Sequence, residues 1–213
     1  QALKINIMSG FYGFVTPSRI GSIIRVEYLR NMNNKIGKAA SNYVFEKILD
    51  LSSLLILIII SSFVLRDILS LSYFHYALGG LLAILIFTFI LWNRERAKLF
   101  LRIFYVKFLP KNIKETAKDG FYSFYESMPE KKYFALFLLL SLLNWVTLYS
   151  IFFFIGLSVG IKTSFFYFLL FMPITTFVGQ LPITIKGLGT REAAMISLFG
   201  LLGISATKIF SMS

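Results

Sequence analysis

Apolar residues in this chain fall in long runs, and the polar ones collect between them. Residues 43–65, 73–92 and 133–157 form three runs of about 20 residues or more, and 51–65 carries no charged side chain. At about 1.5 Å per residue, a helix of that length crosses roughly 30 Å of hydrocarbon. The run 73–92 closes on Trp92, and the run 133–157 carries Asn144 and Trp145 inside it. After Lys162 the pattern changes. The pieces 165–177, which contains Pro173, and 193–202 are short, and Gly179-Gln180-Leu181-Pro182 and Gly187-Leu188-Gly189 stand between them. Short apolar pieces interrupted by Pro and Gly predict broken or re-entrant helices, tolerated at membrane depth only where protein or a cavity covers the backbone.

The predicted fold class is therefore all-α integral membrane. It is a polytopic helix bundle with spans at 43–65, 73–92 and 133–157 and Pro/Gly-broken re-entrant segments at 8–30 and 165–202. The chain opens at Gln1 without a Met or a signal-peptide pattern, and stops soon after Gly203-Ile204-Ser205. The expectation is a single, partial transmembrane domain over 1–213, truncated at both ends.

Charge sets the orientation. Residues 1–42 hold six basic side chains (Lys4, Arg19, Arg25, Arg30, Lys35, Lys38) against Glu27, and the loop 93–132 holds ten basic against five acidic. The turns 66–72 and 158–164 carry only Arg66 with Asp67, and Lys162. The positive-inside rule puts the first two regions in the cytoplasm and the turns outside, in a multi-pass protein of the cytoplasmic membrane. Within the loop, Ile113, Ala117, Phe121, Phe124 and Met128 recur at helical spacing among basic residues, a pattern suited to the membrane surface.

Composition narrows the chemistry. Hydrophobic residues make up 57% and charged ones 15%, with a mean hydropathy of +0.74, which argues against a soluble enzyme. The net charge of +12, in so apolar a chain, points to anionic lipid headgroups before nucleic acid. With no Cys and one His, thiolate metal sites and Cys nucleophiles are excluded and a His-based site is not expected. No catalytic residue, metal or cofactor is assigned.

Two breaks resemble each other. Phe14-Val15-Thr16-Pro17-Ser18-Arg19-Ile20-Gly21 runs on to Arg25, and Gly179 to Pro182 runs on through Lys186-Gly187-Leu188-Gly189-Thr190-Arg191-Glu192. Both place Pro, then Gly, then Arg (Pro17, Gly21, Arg25; Pro182, Gly187, Arg191), at spacings of four and four, and five and four. Matching broken segments in an internal pseudo-repeat are the best sequence pointer to a transporter's binding site. A half-helix that starts at such a break aims unpaired N–H groups and a partial positive charge inward. Thr190 is the predicted N-cap, with Arg191 and Glu192 in the first turn. That arrangement suits phosphate or carboxylate, and Arg adds bidentate contacts. An arginine at the bilayer centre costs roughly 2.5–3.5 kcal/mol, so Arg191 requires a partner or a ligand. Glu192 reads either as a counter-ion or coupling carboxylate, or as a cap on the helix dipole. Arg19 and Arg25 read either as headgroup ligands or as positive-inside anchors. Glu46 and Asp50 lie four apart on one helical face, either facing the same cavity as the arginines or serving as acids in the first turns of a span.

Other features carry less. His75 reads as an interfacial residue, and Gly156-x-x-x-Gly160 as a weak packing signal. Gly187-Leu188-Gly189 lacks the third glycine and the preceding strand of a dinucleotide fingerprint.

Three phrases occur in a familiar order: Thr16 to Gly21 with Arg25; Phe45-Glu46-Lys47-Ile48-Leu49-Asp50; and Leu181 to Thr184 running through Gly187 to Ala194. Together they resemble the transmembrane region of lysylphosphatidylglycerol synthases, the flippase-like domain family, some of whose members are linked to polyprenyl-phosphate or dolichol-linked sugar pathways. The resemblance implies an all-helical domain with re-entrant segments that moves an anionic lipid between leaflets. It implies Arg19, Arg25, Glu46, Asp50, Arg191 and Glu192 as cavity residues. Three positions depart from the family pattern: Lys47 replaces a common Arg, Lys186 a common Gly, and Ser22 a common acid. These bear on the substrate more than on the fold, because Lys keeps the charge and loses the planar fork. The expected function is a flippase-like transporter of an anionic lipid, with no enzymatic activity. Two rivals stand beside it: a membrane-embedded lipid-phosphate transferase, and a non-catalytic partner of a glycosyltransferase or other cell-envelope enzyme.

Overall fold

In an apolar solvent every backbone N–H and C=O must find its partner inside its own segment, and the apolar runs accordingly fold as helices. The computed structural model describes residues 7–8, 11, 36–66, 71–91, 93–99, 121–126, 130–181, 184 and 187–213. Its main elements are α1 (Ile36–Val64), α2 (Leu71–Leu91), α3 (Phe134–Ser158), α4 (Phe165–Gln180), α5 (Thr190–Gly200) and α6 (Ala206–Met212). Among the described residues there is no strand.

Among the described residues two helices are long and apolar enough to cross a membrane, Ser41–Val64 within α1 and Phe134–Ser158, which is α3. The run expected at 73–92 is helical as α2, with a shorter apolar piece at Leu78–Ile90. Burial distinguishes α3 from the core helix of a soluble protein. Only 17% of its apolar window is buried inside the molecule, against 50% for α1. Leu136, Leu139, Leu140, Leu143 and Phe154 project outward, a surface too apolar for water and suited to lipid tails.

The central helix is α1, packed against α2, α3 and α4. Its buried Ser41, Ser52, Ser53, Ser61 and Ser62 are small enough to let neighbouring backbones approach. Phe45 meets Phe134 and Phe137 at 6.0 and 6.1 Å, and five residues further on Asp50 meets Ser141 and Trp145. Contacts that advance together along both chains mean that α1 and α3 run in the same direction. By contrast α4 and α5 form an antiparallel pair. Phe199 near the end of α5 packs on Phe168 and Phe171, while Arg191 near its start lies on Gly179 at the end of α4. The last helix, α6, runs back along α3: Lys208 Nζ donates to the Gly160 carbonyl at 3.0 Å, and Met212 closes on Gly156.

The expected interruption between the pieces 165–177 and 193–202 falls between the end of α4 and the start of α5. Helix α4 runs unbroken through Pro173, whose neighbours Phe171, Met172 and Thr175 are all buried. Packing on both sides holds a helix that has lost one N–H. Within the loop 93–132, Phe121 packs against protein. Ala97 and Ile48 form a small core with Val44, Phe121 and Tyr125 against it, and the Arg94 guanidinium lies 4.1 Å from the Tyr122 ring centroid. Burial there pushes the Tyr125 phenol above its ordinary value. Ile113, Ala117 and Met128 lie outside the described residues.

Candidate functional site at the 181–189 break

The break closes on itself through glycines. Gly187 and Gly189 adopt φ of +78° and +83°, a left-handed region that costs other L-residues about 1–2 kcal/mol. A Cβ on Gly187 would lie 2.5 Å from the Gly179 Cα and 2.7 Å from its carbonyl oxygen. The same Gly179 supports Arg191, whose Cβ lies 3.2 Å from where a Gly179 Cβ would stand. The break is thereby pressed against the last turn of α4, and the stem of Arg191 lies along that turn.

The cap of α5 is Gly189, one residue before the expected Thr190. Positive φ at Gly189 turns the chain early, and its carbonyl accepts the first helical bond from Ala193 N–H at 2.9 Å. Thr190 is the first helical residue instead. Its hydroxyl donates to the Gly187 carbonyl at 3.1 Å and lies 3.1 Å from the Thr184 hydroxyl, fastening the break internally. A glycine offers no side-chain oxygen to the turn, so only the glutamate half of a capping box is formed. Glu192 Oε2 accepts from Gly189 N–H at 2.6 Å.

The other carboxylate oxygen, Oε1, lies 3.3 Å from Arg191 Nη2. The Glu192 residue is 8% exposed. Arg191 Nη2 also donates to the Ser213 backbone oxygen at 2.9 Å, and its guanidinium carbon lies 5.6 Å from the Phe152 ring centroid. The Arg191 side chain keeps 26% of its surface exposed. Its Nε is buried and has no hydrogen-bond partner among the described residues. An unmade bond at a buried donor costs about 1–3 kcal/mol, more when the group is charged. Phe152 stands six residues before Ser158, the end of α3, so the guanidinium lies about 9 Å along that helix from its end.

A second polar cluster joins α1 to α3. Ser141 Oγ donates to Asp50 Oδ1 at 3.2 Å, Ser53 and Ser141 share a bond of 2.8 Å, and Trp145 Nε1 donates to the Asp50 carbonyl at 3.3 Å. Lys47 Nζ lies 3.9 Å from Asp50 Oδ2. Ser141 and Phe152 are eleven residues apart on α3, a rise of about 16 Å. Asp50 and Arg191 therefore meet α3 at different levels, and the structure does not join them. Glu46 is half-buried one turn before Asp50. Ser53 and Ser141 were missed by sequence reasoning; a serine inside an otherwise apolar run is the signal that marks both. Arg19, Arg25, Pro17, Gly21 and Pro182, with most of the segment 8–30, lie outside the described residues.

Among the described residues no three His, Asp or Glu side chains gather as metal ligands. The donors at the break, a guanidinium and the start of a helix, suit an anion. A family model described as lysylphosphatidylglycerol synthase TM region matches residues 1–213, the whole chain. The chain belongs to that family. It is a membrane domain of the flippase-like type, which accounts for the outward apolar surface of α3. No curated protein and no solved structure matches it.

Proposed function

We propose that this chain is a flippase-like transporter that binds an anionic lipid headgroup at the 181–189 break and moves it between leaflets. A polyprenyl or dolichyl phosphate, a lipid-linked sugar or a phospholipid has the required chemistry: a phosphate that must leave water and tails that can stay in the bilayer. The observation that carries the reading is Arg191. It lies in the first turn of a helix that begins between apolar helices, with Nε buried and without a hydrogen-bond partner among the described residues, beside an exposed part of the same side chain. A phosphate oxygen supplies the acceptor that Nε lacks, and the positive end of α5 adds to the attraction. On this reading Arg19 and Arg25, which follow Pro17 and Gly21 in the sequence much as Arg191 follows Pro182 and Gly187, serve the same headgroup. The transporter is not an enzyme on this reading, because Glu192 already serves the backbone of the break rather than standing ready as a general acid or base.

In this reading the chain is multi-pass in the cytoplasmic membrane, with the loop 93–132 in the cytoplasm. The parallel course of α1 and α3 agrees with that topology. The test is native mass spectrometry of the chain in nanodiscs of equal phosphatidylglycerol and phosphatidylcholine. Wild type is expected to retain the anionic lipid, and Arg191→Ala to lose that selectivity, by roughly tenfold for one charge-assisted contact, with unchanged helix content. Equal selectivity in both proteins contradicts the proposal.

A further inference from the structure

A buried carboxylate is an odd neighbour for an anion site. Glu192 stands next to Arg191 in sequence and repels any phosphate bound there, yet it is almost fully buried and bonded at both oxygens. Those two bonds explain its presence. Oε2 holds the Gly189 N–H, and so fixes the end of the left-handed turn from which α5 starts. Oε1 draws Nη2 of Arg191 toward the break, while the Gly179 surface and the Phe152 ring bound the same side chain elsewhere. One side chain thus ties the backbone geometry of the break to the direction of the guanidinium.

We infer that Glu192 is a positioning residue: it touches no lipid, and sets the aim of Arg191 by bridging the Gly189 N–H and the guanidinium. This rests on the reading of the break as an anion site. The bridge requires both a charge and a length. Glutamine keeps the length, and its amide oxygen can still accept from Gly189 N–H, but its other arm offers a donor to a guanidinium that has no lone pair to give. Aspartate keeps the charge and is one methylene too short to reach both partners.

The sign of the effect separates positioning from plain electrostatics. Removing a negative charge beside an anion site should raise anion affinity if the charge acts only by repulsion. Loss of aim should lower it. The experiment uses the whole chain in nanodiscs of equal phosphatidylglycerol and phosphatidylcholine, read by native mass spectrometry beside thermal melting, for Glu192→Gln, Glu192→Asp and Arg191→Ala. The expected result is a fall of about fivefold or more in phosphatidylglycerol selectivity for both Glu192→Gln and Glu192→Asp, at a melting temperature near that of wild type for Glu192→Gln. Unchanged or higher selectivity in Glu192→Gln overturns the positioning role. If Glu192→Gln fails to fold, Glu192→Asp decides alone: retained selectivity overturns the role and lost selectivity supports it. Arg191→Ala separates the two levels. Selectivity that survives in that variant refutes the anion site itself, whereas selectivity lost there but kept in Glu192→Gln refutes only the positioning role.

Discussion

At the scale of single residues, the break depends on what glycines allow. Gly187 combines a positive φ with contact against Gly179, while Gly189 has the same φ and nothing within 4 Å of its absent Cβ. Gly189→Ala therefore meets backbone strain alone, about 1–2 kcal/mol. Gly187→Ala meets that strain and a backbone clash that no rotamer relieves, and is expected to cost at least about 3 kcal/mol. Thermal melting of the two variants in detergent checks the order, and equal losses would refute the account of how the break closes. The glycines and Arg191 were legible in the sequence because the break interrupts an apolar pattern. The exact cap was not: Thr190 is the better capping residue by composition, and only the φ of Gly189 moves the cap one place earlier.

At the scale of helices, contacts rather than apolarity decide the arrangement. Gly156 illustrates what the sequence understated. Its spacing to Gly160 was a weak packing signal, yet a Cβ there would lie 2.8 Å from Phe168 and 3.0 Å from Met212 Sδ, so it is the point at which α3, α4 and α6 close. Gly156→Leu is expected to destabilise by about 1–3 kcal/mol through overpacking. Ser141→Ala, which removes interhelical hydrogen bonds between α1 and α3, should cost only about 0.6 kcal/mol. Denaturation in detergent distinguishes them, and a larger loss for Ser141→Ala would mean that the polar cluster, not close packing, holds the bundle. The runs at 43–65 and 133–157 were legible because a membrane span is long and uniform. The partners of Asp50 were not, since a pattern along one helix does not say which helix faces it: Asp50 meets Ser141 rather than Arg191.

At the scale of the molecule, family membership and the outward apolar surface of α3 place the chain in a bilayer, and the charge pattern predicts a direction that labelling can test. The absence of Cys from the sequence makes single-cysteine labelling clean. In sealed proteoliposomes of one orientation, Glu95→Cys and Ser164→Cys are expected to react with a membrane-impermeant maleimide from opposite sides. Labelling from the same side would overturn the proposed topology. In the proposed reading a headgroup crosses between those two faces by way of Arg191.

The central claim is that this crossing happens and depends on the break. Its most direct test is the movement of fluorescent NBD-phosphatidylglycerol in proteoliposomes, read by dithionite quenching, with wild type compared against Arg191→Ala. The account predicts scrambling or net movement above protein-free vesicles for wild type, and a return to the protein-free rate for Arg191→Ala at equal reconstitution. Equal rates in the two proteins would contradict it.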